Sequence, residues 1–194
     1  VGDRGMVTRI NLDSIKGHEY DYIMGIRRHN SRIVRQLLPF IQQHPEKDIL
    51  EIKHEQLADE KLKQELSQNT RFVIGFNEAV RDQVRQNREQ KFNEFQTFLE
   101  ELPCEGNLKE VTDSNTKVIS YLTKKRLKRY FTVSLEETDS NEHYRVVVTQ
   151  NSDIIEQEKL IDGHYFIQTE VKEQQLKSDE VIAAYKSLQK EERV

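Results

Sequence analysis

Two acids near the ends of this 194-residue sequence stand where chemistry can be done. Asp3 lies in "VGDRGM", a stretch that reads as the end of a strand. An acid at the C-terminal end of a strand in an α/β sheet sits where such folds place their sites. The same acid also suits a turn or the cap of a following helix. Glu192 lies in "KSDEVIAAYKSLQKEERV", whose Val181, Ile182, Tyr185 and Leu188 form an apolar stripe at helical spacing. Glu192 comes seven residues after Tyr185 and so continues that stripe, whereas Glu191 points roughly 100° away. A carboxylate on an inward face must be paired, protonated or bound to metal. In the last turn of a helix it can equally be solvated.

Cations form the second candidate set. Arg81, Arg85 and Arg88 share one side of a helix expected from about Glu78 to Leu102, with Val84, Phe92, Phe95, Leu99 and Leu102. The C-terminal half of that side can pack. The arginine row either pairs with acids of a neighbouring element or faces phosphate. Lys117, Lys124, Lys125, Arg126, Lys128 and Arg129 concentrate charge in a stretch with no acid between Ser114 and Leu135. A solvated basic face and a DNA-backbone contact are both open there.

The formal net charge is −4, so any attraction to nucleic acid must come from such local patches. Apolar residues make up 35% and charged residues 33%, a polar composition that still allows a core. With 3 Pro and 7 Gly, long elements are favoured over a loop-rich sandwich. The single Cys104 excludes an internal disulfide framework and points to a reducing compartment. The six His form no pair at metal-binding helical spacing, and no Walker loop, dinucleotide glycine pattern or nucleophile elbow occurs. No run approaches the roughly 20 apolar residues that span a bilayer.

The elements that must position these residues follow from periodicity and punctuation. "TRINLDSIKGHEY" reads as a short helix ending at Gly17, and "YDYIMGI" as a buried strand from Tyr20 to Ile26. "SRIVRQLLPFIQQ" reads as a helix capped by Ser31 and disturbed by Pro39. Residues 45–69 are mixed, and Arg71 to Phe76 form a strand. "PCEGN" and "TDSN" read as loops. "RYFTVSL" and "HYRVVVTQ" alternate as paired strands joined by the hairpin loop "EETDSNE". "SDIIEQEKLI" is a short helix or turn, "DGHYFIQTEV" a turn and a strand, and the last helix is capped by Ser178.

"VGDRGM" followed by "INLDSIKGHEYDYIMGIR" resembles the segment around the second catalytic aspartate of bacterial insertion-sequence DDE transposases, in the group whose RNase-H-like core carries a large insertion. "DGHYFIQTEV" and "SDEVIAAYKSLQKEERV" resemble the return to that core and the helix bearing its catalytic glutamate. The family signature there is Tyr, two residues, Arg, three residues, Glu, six residues, Lys. Tyr185 and Glu192 match its Tyr and Glu, while Leu188 stands at the Arg position.

The resemblance implies an α/β fold, a partial RNase-H-like core (1–30 and 161–194) interrupted by a mixed α+β insertion (31–160). It implies a protein that cuts DNA and transfers the cut strand, with Asp3 and Glu192 catalytic and holding Mg²⁺ or Mn²⁺ for in-line displacement at phosphorus. A first aspartate is expected upstream, so the chain alone is expected to lack transposition activity. Implied partners are DNA, as transposon ends and target, and a second copy in a homodimer, with no membrane. The implied setting is the bacterial cytoplasm, at the nucleoid. The expected DNA contacts are Arg81, Arg85, Arg88, Lys117, Lys124, Lys125, Arg126, Lys128, Arg129 and Tyr185. A transposase relic or a non-enzymatic nucleic-acid-binding module is the alternative.

Overall fold

The computed structural model describes residues 21–28, 32–45, 47–138 and 143–191, with side chains as far as 187. The expected helix ending at Gly17, the Ser31 cap and the tip of the "EETDSNE" loop lie outside the described residues. The chain divides into two compact units, one of residues 1–81 with 163–194, the other of residues 82–162. The segment expected as one insertion from 31 to 160 is therefore shared between them. Both units mix helices with a small antiparallel sheet, and an RNase-H-like core is not evident among the described residues.

The first unit holds a four-stranded sheet. Its strands are β1 (Ile23–Ile26), β2 (Ile49–Lys53), β3 (Arg71–Phe76) and β7 (His164–Thr169), in the order β1-β7-β3-β2. All pairings are antiparallel, with Ile23 opposite Thr169, Arg71 opposite Thr169 and Glu51 opposite Val73. The apolar runs "IMGI" and "RFVIGF" occupy β1 and β3, buried over almost their whole length. Edge strand β2, "ILEIK", alternates between buried and open positions, as a strand with one covered face must. Ile23, Val73 and Ile167 share a face and form a core with Val181, Ile182 and Tyr185 of α6 (Ser178–Glu191).

Helix α1 (Arg32–Gln43) buries Val34, Leu37 and Ile41, one stripe at helical spacing. Pro39 does not end it. Arg35 and Pro39 are both exposed, so the carbonyl deprived of its helical partner lies on the solvent side. The mixed stretch resolves into β2, a 3₁₀ turn at His54–Gln56 and the short α2 (Glu60–Glu65). Asp59 caps α2 by accepting from the Leu62 amide at 3.0 Å, and takes both arms of Arg32 at 2.7 and 2.6 Å. The Arg32 hydrogen bonds, then the Leu62 amide, hold the Asp59 carboxyl down at about 2 against an ordinary 3.8.

A pKa depressed in the folded state contributes stability that is present above the unfolded value and lost as pH falls through the folded one. The Asp59 contribution is therefore complete above pH 3.8 and lost as pH falls through about 2. NMR titration of its carboxyl is expected to give that low midpoint, and Arg32→Met to move it back toward 3.8.

Helix α3 (Glu78–Glu100) begins in the first unit and continues in the second. The second unit adds β4 (Glu105–Gly106), α4 (Leu108–Lys124), β5 (Phe131–Glu137), β6 (Tyr144–Gln150) and α5 (Ser152–Ile161). Its sheet runs β4-β6-β5, with Phe131 opposite Gln150 and Glu137 opposite Tyr144. Phe95, Val118, Leu122, Leu127, Tyr130 and Ile155 fill its core. "TDSN" is helical rather than a loop. The Thr112 and Thr116 hydroxyls donate to carbonyls four residues back at 2.6 and 2.9 Å, and Ser114 donates to the Pro103 carbonyl at 2.8 Å. These hydroxyls are thereby satisfied within a helix whose start is capped by Asn107, while the buried Asn115 Oδ1 makes no hydrogen bond.

Candidate functional site

Asp3 and Glu192 lie outside the described residues, and the Leu188 and Glu191 side chains are likewise not described. What is described is the framework between those ends. Strand β1 pairs with β7 over four residues, so residues 23–26 and 166–169 are neighbours. Gln168 Nε2 donates to the Tyr22 hydroxyl at 2.7 Å, which donates to Glu170 Oε1 at 3.0 Å. Thr169 Oγ1 donates to the Tyr22 carbonyl at 2.6 Å. Burial first, then the Glu170 charge, pushes the Tyr22 hydroxyl well above its ordinary pKa, so it stays a proton donor.

Tyr185 is only 1% exposed, and its ring lies on Gly25 of β1. A Cβ at position 25 would overlap the Tyr185 hydroxyl and ring. The glycine is thus explained by close approach of an aromatic ring to the strand. Gly25→Ala is expected to destabilise the fold by about 1–3 kcal/mol, the usual cost of overpacking. Urea unfolding checks this, and Tyr185→Leu in the same chain is expected to restore part of the stability.

The entry to α6 is set by a buried cation that the sequence alone does not single out. Arg71 is 3% exposed. Its guanidinium donates to Glu51 at 2.8 Å, to the Val171 carbonyl at 2.8 Å and to the Leu176 carbonyl. Contrary to the expectation from sequence, the Ser178 hydroxyl does not cap α6. It donates to Glu51 instead, while the Lys177 amide finds Glu180 Oε2 at 2.8 Å. The available signal was period-two patterning, which puts Arg71 on the covered face of β3 with Val73, and Glu51 opposite Val73.

The expected DNA-contact residues divide sharply. In the first unit Arg81 pairs with Glu78 at 2.7 Å and lies over the Phe76 ring. In the second, Arg88 is buried and grips both oxygens of Asp162, itself 4% exposed, and Arg85 approaches Asp162 at 3.5 Å. Arg129 pairs with Glu158 at 2.9 Å, and Glu158 accepts from the Tyr130 hydroxyl. Burial and then Glu158 raise the Tyr130 pKa, keeping that donor protonated. Lys125 pairs with Glu94 at 2.9 Å. Lys117, Lys124, Arg126 and Lys128 are exposed and make no ion pair with a described residue.

Helix α4 closes in a Schellman motif. The Leu127 amide donates to the Leu122 carbonyl at 2.7 Å and the Arg126 amide to the Thr123 carbonyl at 3.1 Å, with Leu122 and Leu127 both buried in the core. The motif needs a left-handed residue, and Arg126 supplies it at φ 59° where glycine is favoured. An L side chain there costs about 1 kcal/mol or more.

The expected Mg²⁺ or Mn²⁺ site is not found. Among the described residues no group of three or more His, Cys, Asp or Glu can hold a metal ion. The acids that do face inward among the described residues are each engaged by a cation: Glu51 by Arg71, Asp162 by Arg88, Glu158 by Arg129. No protein-family model, curated protein or solved structure matches this chain. Among the described residues no helix is long and apolar enough to cross a membrane.

Proposed function

We propose that this chain is the part of a DDE transposase running from its second catalytic acid, Asp3, to its third, Glu192. The protein then cuts DNA and joins the 3′ end to a new phosphate. The observation that carries this reading is the meeting of the two segments that bear the resemblance. Strand β1 from the first pairs with β7 from the second, and Tyr185, the signature tyrosine, packs on Gly25. A core interrupted by an insertion requires its two ends to close on each other in this way. On this reading the sheet of the first unit with α6 belongs to an RNase-H-like core, and residues 82–162 are the bulk of the insertion.

The test is a strand-joining assay with the intact protein, its cognate DNA ends and a target duplex. A covalent joined product is expected. DNA binding with no cleavage or joining under any condition would overturn the enzyme and leave a non-enzymatic nucleic-acid-binding module.

A further inference from the structure

The C-terminal half of α4 and the turn that follows it present four cations that no described acid pairs. Lys117 and Lys124, seven residues apart, share one exposed face of α4, and the exposed Arg126 and Lys128 follow in the turn. Their neighbours Lys125 and Arg129 are neutralised by Glu94 and Glu158. No acid occurs in the sequence between Asp113 and Glu136. An otherwise acidic chain thus carries a local positive face, and its charge matches a polyanion.

Arg126 is the second observation. It occupies the left-handed position of a Schellman motif where glycine is the favoured residue. Backbone strain of this kind is informative when the strained residue brings something glycine cannot. Here it brings a cation, set between Lys124 and Lys128 in an exposed turn.

We infer that the C-terminal half of α4 and its closing turn form a contact surface for the phosphate backbone of duplex DNA, through Lys117, Lys124, Arg126 and Lys128. The inference rests on the reading of this protein as one that acts on DNA. It narrows the ten expected contacts to these four and removes the other six: Arg81, Arg85, Arg88, Lys125 and Arg129, each paired with an acid, and the buried Tyr185.

The experiment is fluorescence anisotropy of the full chain with a labelled random-sequence duplex across a salt series. Removing one cation from the phosphate backbone lowers the slope of log K against log salt by about one unit. Arg126→Gly is expected to lower it by about one. Glycine is the favoured residue at that position, so the variant keeps its fold and a weaker affinity cannot be laid to unfolding. Adding Lys117→Gln, Lys124→Gln and Lys128→Gln is expected to bring the fall to roughly 3–4 units. Arg145→Gln, whose guanidinium pairs with Glu136 on the sheet, is expected to leave the slope unchanged.

A quadruple variant with parental affinity and slope overturns the inference, as does a parent chain that does not bind duplex. Competition by polyglutamate as strong as by duplex of equal charge overturns the assignment to DNA. If the quadruple variant of the intact protein still joins DNA ends with parental affinity, the surface is wrong while the proposed function stands.

Discussion

Glu192→Ala in the intact protein is expected to abolish both DNA cleavage and joining while leaving DNA affinity in place. Affinity for DNA comes from cations and hydrogen-bond donors spread over many residues. A carboxylate repels phosphate, so its removal is not expected to weaken contacts to the DNA backbone. On the proposed function its effect falls on the reacting phosphorus. Asp3→Ala is expected to be as severe, and the double variant hardly worse than either single one, because groups that act as a unit are not additive. Glu191→Ala is the control, since helical spacing in the sequence puts a residue one position earlier roughly 100° off the Tyr185 stripe. Electrophoresis of cleaved and joined products, with a parallel binding measurement, reads all four variants. Activity in Glu192→Ala with loss in Glu191→Ala would shift the helix register by one residue. Activity in both would remove this end of the site.

Arg71→Ala is expected to cost about 3–5 kcal/mol of stability, the range for breaking a buried ion pair from one side. Its side chain is 4% exposed and that of Glu51 16%. Truncation leaves the Glu51 carboxylate, whose Oε1 already makes no hydrogen bond, without its cation and with only the Ser178 hydroxyl, and frees the Val171 and Leu176 carbonyls that precede α6. Removing both charges with apolar residues, as Arg71→Met with Glu51→Leu, is expected to restore much of the stability, because no unpaired charge then remains buried. Urea denaturation of Arg71→Met, Glu51→Leu and the double variant closes the cycle, with Arg71→Ala measured beside them. A cost under about 1 kcal/mol in Arg71→Ala would mean that the pair is solvated. Arg71 ties β3 to the residues that lead into α6.

Much of the element layout was legible in the sequence. The apolar run of Arg71–Phe76, the alternation of "RYFTVSL" against "HYRVVVTQ" and the long amphipathic stretch from Glu78 each impose one local period, and local period is what decides strand or helix. "TDSN" misled because turn propensity is weak when a helix can satisfy the hydroxyls, as Thr112, Ser114 and Thr116 show. The Ser178 cap failed because the helix starts one residue earlier than expected: Ser178 is its first residue, and the Lys177 carbonyl accepts from the Val181 amide.

For the candidate site, the order of residues is enough to say which types stand at which spacing. The seven-residue step from Tyr185 to Glu192 and the acid-free cationic stretch can both be read from it directly. Which charges are engaged is a property of the folded chain. Arg88 and Lys124 look alike in sequence, yet Asp162, 74 residues from Arg88, captures one while no described acid reaches the other. Ion pairing of that kind depends on distances through space of a few ångströms, which the linear spacing of charges does not encode. The same holds for Gly25 and Tyr185, whose contact exists because β1 and α6 meet on one face of the sheet.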